Sequence, residues 1–167
     1  MDLITEIKDA QLLDESNLYK REAVRAIIFD ENNLIPIIFV SKRNYHKIPG
    51  GGIDEGENKE IALDREIKEE CGCLAKITGE VGKINEYRSK ENFYQTSYCY
   101  LGKIISKGEV EFTQEEIERG FQLLWMTLDD AIEIFKNDKP IGYHDSFMGP
   151  RDLAFLKKAN EVLNSKL

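Results

Sequence analysis

The 167-residue chain has no apolar run approaching the ~20 residues that a membrane-spanning helix requires. Its three cysteines are an odd number, which fits a reducing cytoplasm better than a disulfide framework. Cys71 and Cys73 make a pair too sparse for structural zinc, which takes four ligands. The two histidines, His46 and His144, stand apart, with no metal-type partner beside either. Positive charge is also short: 23 Lys and Arg against 31 Asp and Glu leave a net charge of -8. That balance argues against binding to a nucleic acid duplex. There is no Ser-His-Asp or Walker-type pattern. Residues Met1 to Glu6 carry no basic patch leading into an apolar core, so no secretory signal is expected.

What is present suits a soluble, cytoplasmic protein. Hydrophobic residues make up 41%, enough for a real core, and charged residues 32%. The length is most simply one domain over residues 1–167. Ala23 to Phe29 reads as a buried strand, and Leu34 to Ser41 as a second. The polar turn Asp30–Asn33 between them predicts a hairpin. Ala75 to Tyr87 and Phe93 to Ile105 read as an antiparallel pair around a polar turn. Phe121 to Met126 reads as a further strand. Thr127 caps a helix through Phe135, and a last helix runs from Pro150 to about Leu163. Strands followed by an acidic helix, more strands and more helices suit a mixed sheet with helices on both faces.

The most specific segment runs from the glycines Gly50-Gly51-Gly52 to Cys73. Asn58 is a fitting N-cap for a helix Lys59 to Cys71, with Gly72 beyond its end. Glu66, Glu69 and Glu70 stand at i, i+3 and i+4, so a helix puts them on one face. Like charges at that spacing repel. A hard divalent cation with oxygen ligands, such as Mg2+, is the natural partner, with Mn2+ an alternative.

The order Gly51-x5-Glu57-x7-Arg65-Glu66-x2-Glu69-Glu70-x-Gly72 resembles the signature of the Nudix (MutT-like) hydrolases, with every fixed position filled. Cys73 stands where that family usually has an aliphatic residue. The resemblance implies an α/β/α sandwich with a mixed central sheet. It implies hydrolysis of nucleoside diphosphates linked to another group, with a bound metal ion. Carried over, Glu66, Glu69 and Glu70 are the metal site, joined by the carbonyl of Gly50 or Gly51. Glu66 has a further role as base, and Glu57 pairs with Arg65. Many members use one more glutamate before the last core strand. Glu115, Glu116 and Glu118 occupy that place, Glu116 or Glu118 being the preferred candidates and a solvated charge run the equal alternative.

Lys42, Arg43 and Lys47 are candidate phosphate contacts, Arg43 matching a position often basic in the family, with solvated loop charge the alternative. Gly51 and Gly52 let backbone approach a substrate closely. Tyr87 stands where ADP-ribose hydrolases of the family often carry proline, which disfavours that branch. A tyrosine near that spacing resembles the dinucleoside polyphosphate hydrolases. The expected partner is a small-molecule nucleotide or nucleoside diphosphate derivative, and a homodimer is left open. The alternative is a non-catalytic nucleotide-binding or regulatory module, although such modules usually lose signature carboxylates. Prenyl diphosphate isomerases of the family would need catalytic residues that cannot be placed here.

Overall fold

A computed structural model describes residues 1–9 and 17–165. Seven strands and four helices occur among them. They are β1 (Leu3–Lys8), β2 (Tyr19–Phe29), β3 (Ile35–Val40), β4 (Tyr45–Lys47), α1 (Lys59–Cys71) and β5 (Cys73–Arg88). Then follow β6 (Phe93–Lys107), α2 (Gln114–Glu118), β7 (Phe121–Met126), α3 (Leu128–Asn137) and α4 (Met148–Asn164).

The strands form two sheets, ordered β1-β5-β6-β2 and β4-β3-β7. In the larger sheet β5 and β6 are antiparallel, while β1 pairs parallel to β5 and β2 parallel to β6. The helices cover both faces of that sheet, as an α/β/α sandwich requires. Alternation along β2 divides its side chains between two cores. Val24, Ala26 and Ile28 meet Ala62, Leu63, Ile67 and Cys71 of α1. Ile27 faces the other way, toward Ile35, Ile37, Ile84 and Leu101, covered by Phe135 of α3 and Phe155 of α4.

The expected hairpin of β2 and β3 does not form: the two strands lie in different sheets. Asp30 still organises the turn, its Oδ1 accepting from the amides of Asn32 and Leu34, each at 2.9 Å. The edge of β2 that a hairpin would use is taken by the glycine loop. Val24 N donates to Gly51 O at 2.9 Å, Ala26 N to Pro49 O at 3.0 Å, and Ile53 N to Glu22 O at 3.0 Å. A loop pairing as a short strand satisfies the buried backbone of β2 as well as β3 would.

Helix α1 has the predicted bounds. The Asn58 side chain accepts from Ile61 N at 2.9 Å, and Gly72 closes the helix at φ 64°. Three elements were not expected: β1, β4 and the short α2. β1 is largely exposed, and among the described residues it pairs with β5, far along the chain. All three cysteines are free and buried. Among the described residues no helix is long and apolar enough to cross a membrane.

Asn58→Ala removes one cap hydrogen bond from the helix that carries the carboxylates. It should lower stability by about 1 kcal/mol in urea unfolding. An unchanged midpoint would mean that α1 is held by packing alone.

Candidate functional site

The glycine loop is gripped from three directions. β2 pairs with its backbone, as described. α1 presents two carboxylates to it. The Glu70 side chain lies under Gly50, where Oε2 accepts from Gly50 N at 2.7 Å. Glu66 lies against Gly51: a Cβ at that position would stand 2.2 Å from Glu66 Oε1. A side chain at Gly51 would have to push the Glu66 carboxylate aside. Gly50 has φ 135°, and a Cβ there would meet the Val24 carbonyl oxygen at 2.1 Å, so both backbone conformation and room demand glycine. From the third side, Asp152 of α4 accepts from Ile48 N through Oδ2 at 2.9 Å.

Two cations neutralise the acidic face of α1. Arg65 holds Glu57 with a two-pronged pair, Nε to Oε1 and Nη2 to Oε2, both 2.8 Å. Its Nη1 reaches Glu66 at 2.8 Å and Glu69 at 3.3 Å, and Nη2 also donates to Gly52 O at 3.0 Å. The hydrogen bonds that Arg65 donates hold the Glu57 carboxyl down to about 2, and the same bonds raise Arg65 in turn. Lys47 supplies the second cation. Its Nζ donates to Glu70 Oε1 and, at 3.0 Å, to Gly50 O. Glu70 is 1% exposed and Lys47 8%, so the pair is buried. Arg25 donates to the same Gly50 carbonyl.

These contacts bear on a metal ion. Among the described residues no three His, Cys, Asp or Glu side chains converge as a ready cage. Glu66 and Glu69 are instead drawn onto Arg65. Yet the Lys47 ammonium shows what the Gly50 carbonyl and the Glu70 carboxylate hold together: a cation, between hard oxygen donors. Glu66, one helical turn away, borders the next loop residue. The donor set fits Mg2+ or Mn2+.

The remaining sequence candidates lie elsewhere. Arg43 and Glu118 line one cleft of about 470 Å³, together with Lys42, Glu115, Arg119 and Asp145. Arg43 pairs there with Asp145 at 3.5 Å. Glu116 closes a capping box on α2, its Oε2 accepting from Thr113 N at 2.8 Å. Gly52 packs over the Arg21 guanidinium. Tyr87 sits near the end of β5 with its ring 4.7 Å from that of Tyr94. His46 pairs with Asp138 at 2.7 Å and His144 with Glu91 at 3.1 Å, so both histidines are hydrogen-bonded.

Sequence reading missed a buried charged seam behind the loop. Arg151 Nε donates to Asp152 Oδ1 at 2.6 Å and its Nη1 to Glu86 at 3.2 Å. Arg88 reaches Glu86 at 3.0 Å and Gln95 does so at 2.9 Å. Burial works to raise the Glu86 carboxyl, but Arg151 and Arg88 outweigh it and the net shift is downward. Burial, and then Arg151, lowers Arg25. The available signals were a lone arginine inside the apolar run Ala23–Phe29 and the pair Arg151-Asp152 opening an otherwise amphipathic helix.

A family model described as the NUDIX domain matches residues 19–144. The chain belongs to this family. An RNA pyrophosphohydrolase of Campylobacter jejuni subsp. doylei is 43% identical over 74 residues, covering 42% of this chain and 41% of that protein. The matched stretch thus spans less than half of that relative. Diphosphoinositol polyphosphate phosphohydrolase 2 of Rattus norvegicus is 23% identical over 136 residues, 77% of this chain and 72% of that one. The relatives are hydrolases by name. Among solved structures, a NUDIX hydrolase from Nitrosomonas europaea superposes with TM-score 0.64 at 13% identity, covering 86% of this chain and 90% of that one. The E. coli ORF135 protein does so with TM-score 0.58 at 17% identity, covering 90% and 95%. These two share the fold.

Glu57 has a depressed carboxyl, so its ion pair contributes stability above the unfolded value near 4.5. That contribution is lost as pH falls through about 2. Glu57→Gln should therefore be less stable than wild type at neutral pH and should lose less stability between those two values. Parallel acid-unfolding curves would show that Arg65 does not hold Glu57 in solution.

Proposed function

We propose that this protein is a metal-dependent hydrolase of a phosphoanhydride bond in a nucleoside triphosphate or nucleoside diphosphate derivative. The observation that carries the reading is the closure of Glu66 and Glu70 on consecutive residues of one glycine loop, beside a carbonyl that already grips cations. Non-catalytic modules of this family usually lose these carboxylates, and this chain keeps them. Three reduced, buried thiols suit a cytoplasmic setting.

In this reading Glu70, Glu66 and the Gly50 carbonyl hold the divalent ion, with Glu69 alongside. When bound, the ion neutralises phosphate charge and lowers the pKa of an attacking water. The chain's own residues do the rest. Glu66 takes the proton from the attacking water. Arg65, fixed by Glu57, keeps Glu66 and Glu69 oriented and offsets their repulsion. Gly50 N is held by Glu70, Gly50 O by Arg25 and Lys47, Gly51 O by Val24 N and Gly52 O by Arg65, so the loop requires little reorganisation. Arg43 and Lys47 meet the substrate's phosphates, and Glu118 faces the same substrate from the cleft. The substrate's identity is read from a panel: nucleotides, nucleoside diphosphate derivatives, a 5′-triphosphorylated RNA and a diphosphoinositol polyphosphate.

Glu70→Gln should fold and lose roughly 10²–10³-fold in kcat, the scale of removing one preorganised electrostatic group. Near-normal turnover at saturating Mg2+ would remove Glu70 from the metal site. Wild-type activity should rise from neutral to mildly alkaline pH, because the attacking water must lose a proton. An acidic optimum would point to different chemistry.

The two α2 glutamates separate cleanly. Glu118→Gln should lower kcat while Mg2+ affinity stays level. Glu116→Gln, which can keep the capping-box bond to Thr113 N, should instead leave both stability and kcat near wild type. The reverse pattern would exchange their roles.

A further inference from the structure

We propose that Lys47 is an exchangeable counter-ion: it neutralises Glu70 in the metal-free protein and is expelled when a divalent cation takes Glu70 and the Gly50 carbonyl. The inference rests on the reading of Glu70 as a metal ligand. Lys47 Nζ binds those same two groups, the Glu70 carboxylate and Gly50 O. Gly50 O already accepts from Arg25 as well, so both its lone pairs are taken, and a divalent cation cannot join the ammonium between the same two groups without strong repulsion. One of the two must leave.

The metal-free protein needs this lysine. Glu70 is almost fully buried, and a buried carboxylate without a positive partner is strongly destabilising. Gly50 N donates to it as well, but a neutral amide does not cancel its charge. The residue type fits exchange. Lysine carries a compact charge on a flexible four-carbon stem, whereas a guanidinium would lock onto the carboxylate with two prongs, as Arg65 does on Glu57.

The expelled ammonium has a place to go. Its Nζ lies 5.2 Å from the centre of the Phe121 ring, whose face attracts cations. The Arg119 guanidinium lies 5.6 Å from the same ring. Arg119 in turn lines the cleft that holds Arg43 and Glu118. Lys47 can therefore leave Glu70 along the ring toward that cleft, where it meets an anionic substrate. Metal binding would then do two things at once: occupy the carboxylate and release a cation for phosphate. Lys47 thus competes with the metal for Glu70 and, once released, becomes a substrate contact.

The consequence has opposite signs for two measurements on Lys47→Met. Without metal the variant should melt lower than wild type, because Glu70 loses its partner. Its Mn2+ affinity, read by the paramagnetic signal of free ion, should be roughly tenfold tighter, since no charge-assisted hydrogen bond has to break first. Its Mn2+-induced rise in melting temperature should be larger, and KM for an anionic substrate should rise. Lys47→Gln, which keeps a hydrogen-bonding group without the charge, serves for the same comparison should Lys47→Met not fold. Equal or weaker Mn2+ affinity in a folded, uncharged variant would overturn the proposal. Glu70→Gln separates this from the underlying reading. If Glu70→Gln leaves wild-type Mn2+ affinity unchanged, the metal assignment and the exchange fail together. If Glu70→Gln weakens binding while the Lys47 variants do not strengthen it, the metal assignment stands and only the exchange fails.

Discussion

The constraint on which this structure turns is the burial of a carboxylate beneath a glycine loop. Glu70 is 1% exposed and must be compensated from within. The compensation fixes the site. Lys47 comes from β4, two residues before the Pro49–Gly52 turn, and Gly50 N comes from the turn itself. β4 pairs with β3, so the lysine is held in register by the smaller sheet. The loop pairs with β2, and so belongs to the edge of the larger one. The two sheets therefore meet at Glu70, and their failure to merge through a β2–β3 hairpin is what leaves an edge for the loop.

Behind the loop lies a second buried electrostatic arrangement. Arg25, Arg88 and Arg151 surround Glu86 and Asp152, and all five are nearly or fully buried. Arg25 Nε, Arg88 Nε and Arg151 Nη2 make no hydrogen bond among the described residues. Such a seam is expensive compared with apolar packing. Its return is geometric: Asp152 takes the Ile48 amide and Arg25 takes the Gly50 carbonyl, one on each side of Pro49. The C-terminal helix thereby reaches the glycine loop, although its sequence lies some hundred positions away.

Much of this was legible in the sequence, for local reasons. Helix α1 was readable to the residue because Asn58 and Gly72 cap it and Leu63 and Ile67 mark its buried face. β5, β6 and β7 announce themselves by β-branched and aromatic runs between polar turns. The pairing of Arg65 with Glu57, carried over from the family, matches the contact found. What the sequence hid depends on contacts distant along the chain. The β2–β3 hairpin was the sound local expectation and failed because a loop competes for the same edge. Glu116 and Glu118 look alike as letters, and only the Thr113 capping box tells them apart. Lys47 read as a candidate phosphate contact or a solvated loop charge, yet it is buried because Glu70, 23 positions later, folds onto it. Asp152 gave no local sign of its bond to Ile48.

The central claim is that the Glu70 carboxylate and the Gly50 carbonyl form a cation site in which lysine and metal alternate. The most direct measurement is the anomalous scattering of Mn2+ in crystals grown with the ion. The account predicts one strong peak bounded by Glu70, Glu66 and the Gly50 carbonyl, with the Lys47 ammonium withdrawn from Glu70. A peak away from the glycine loop, or one at the loop with Lys47 still bonded to Glu70, would contradict it.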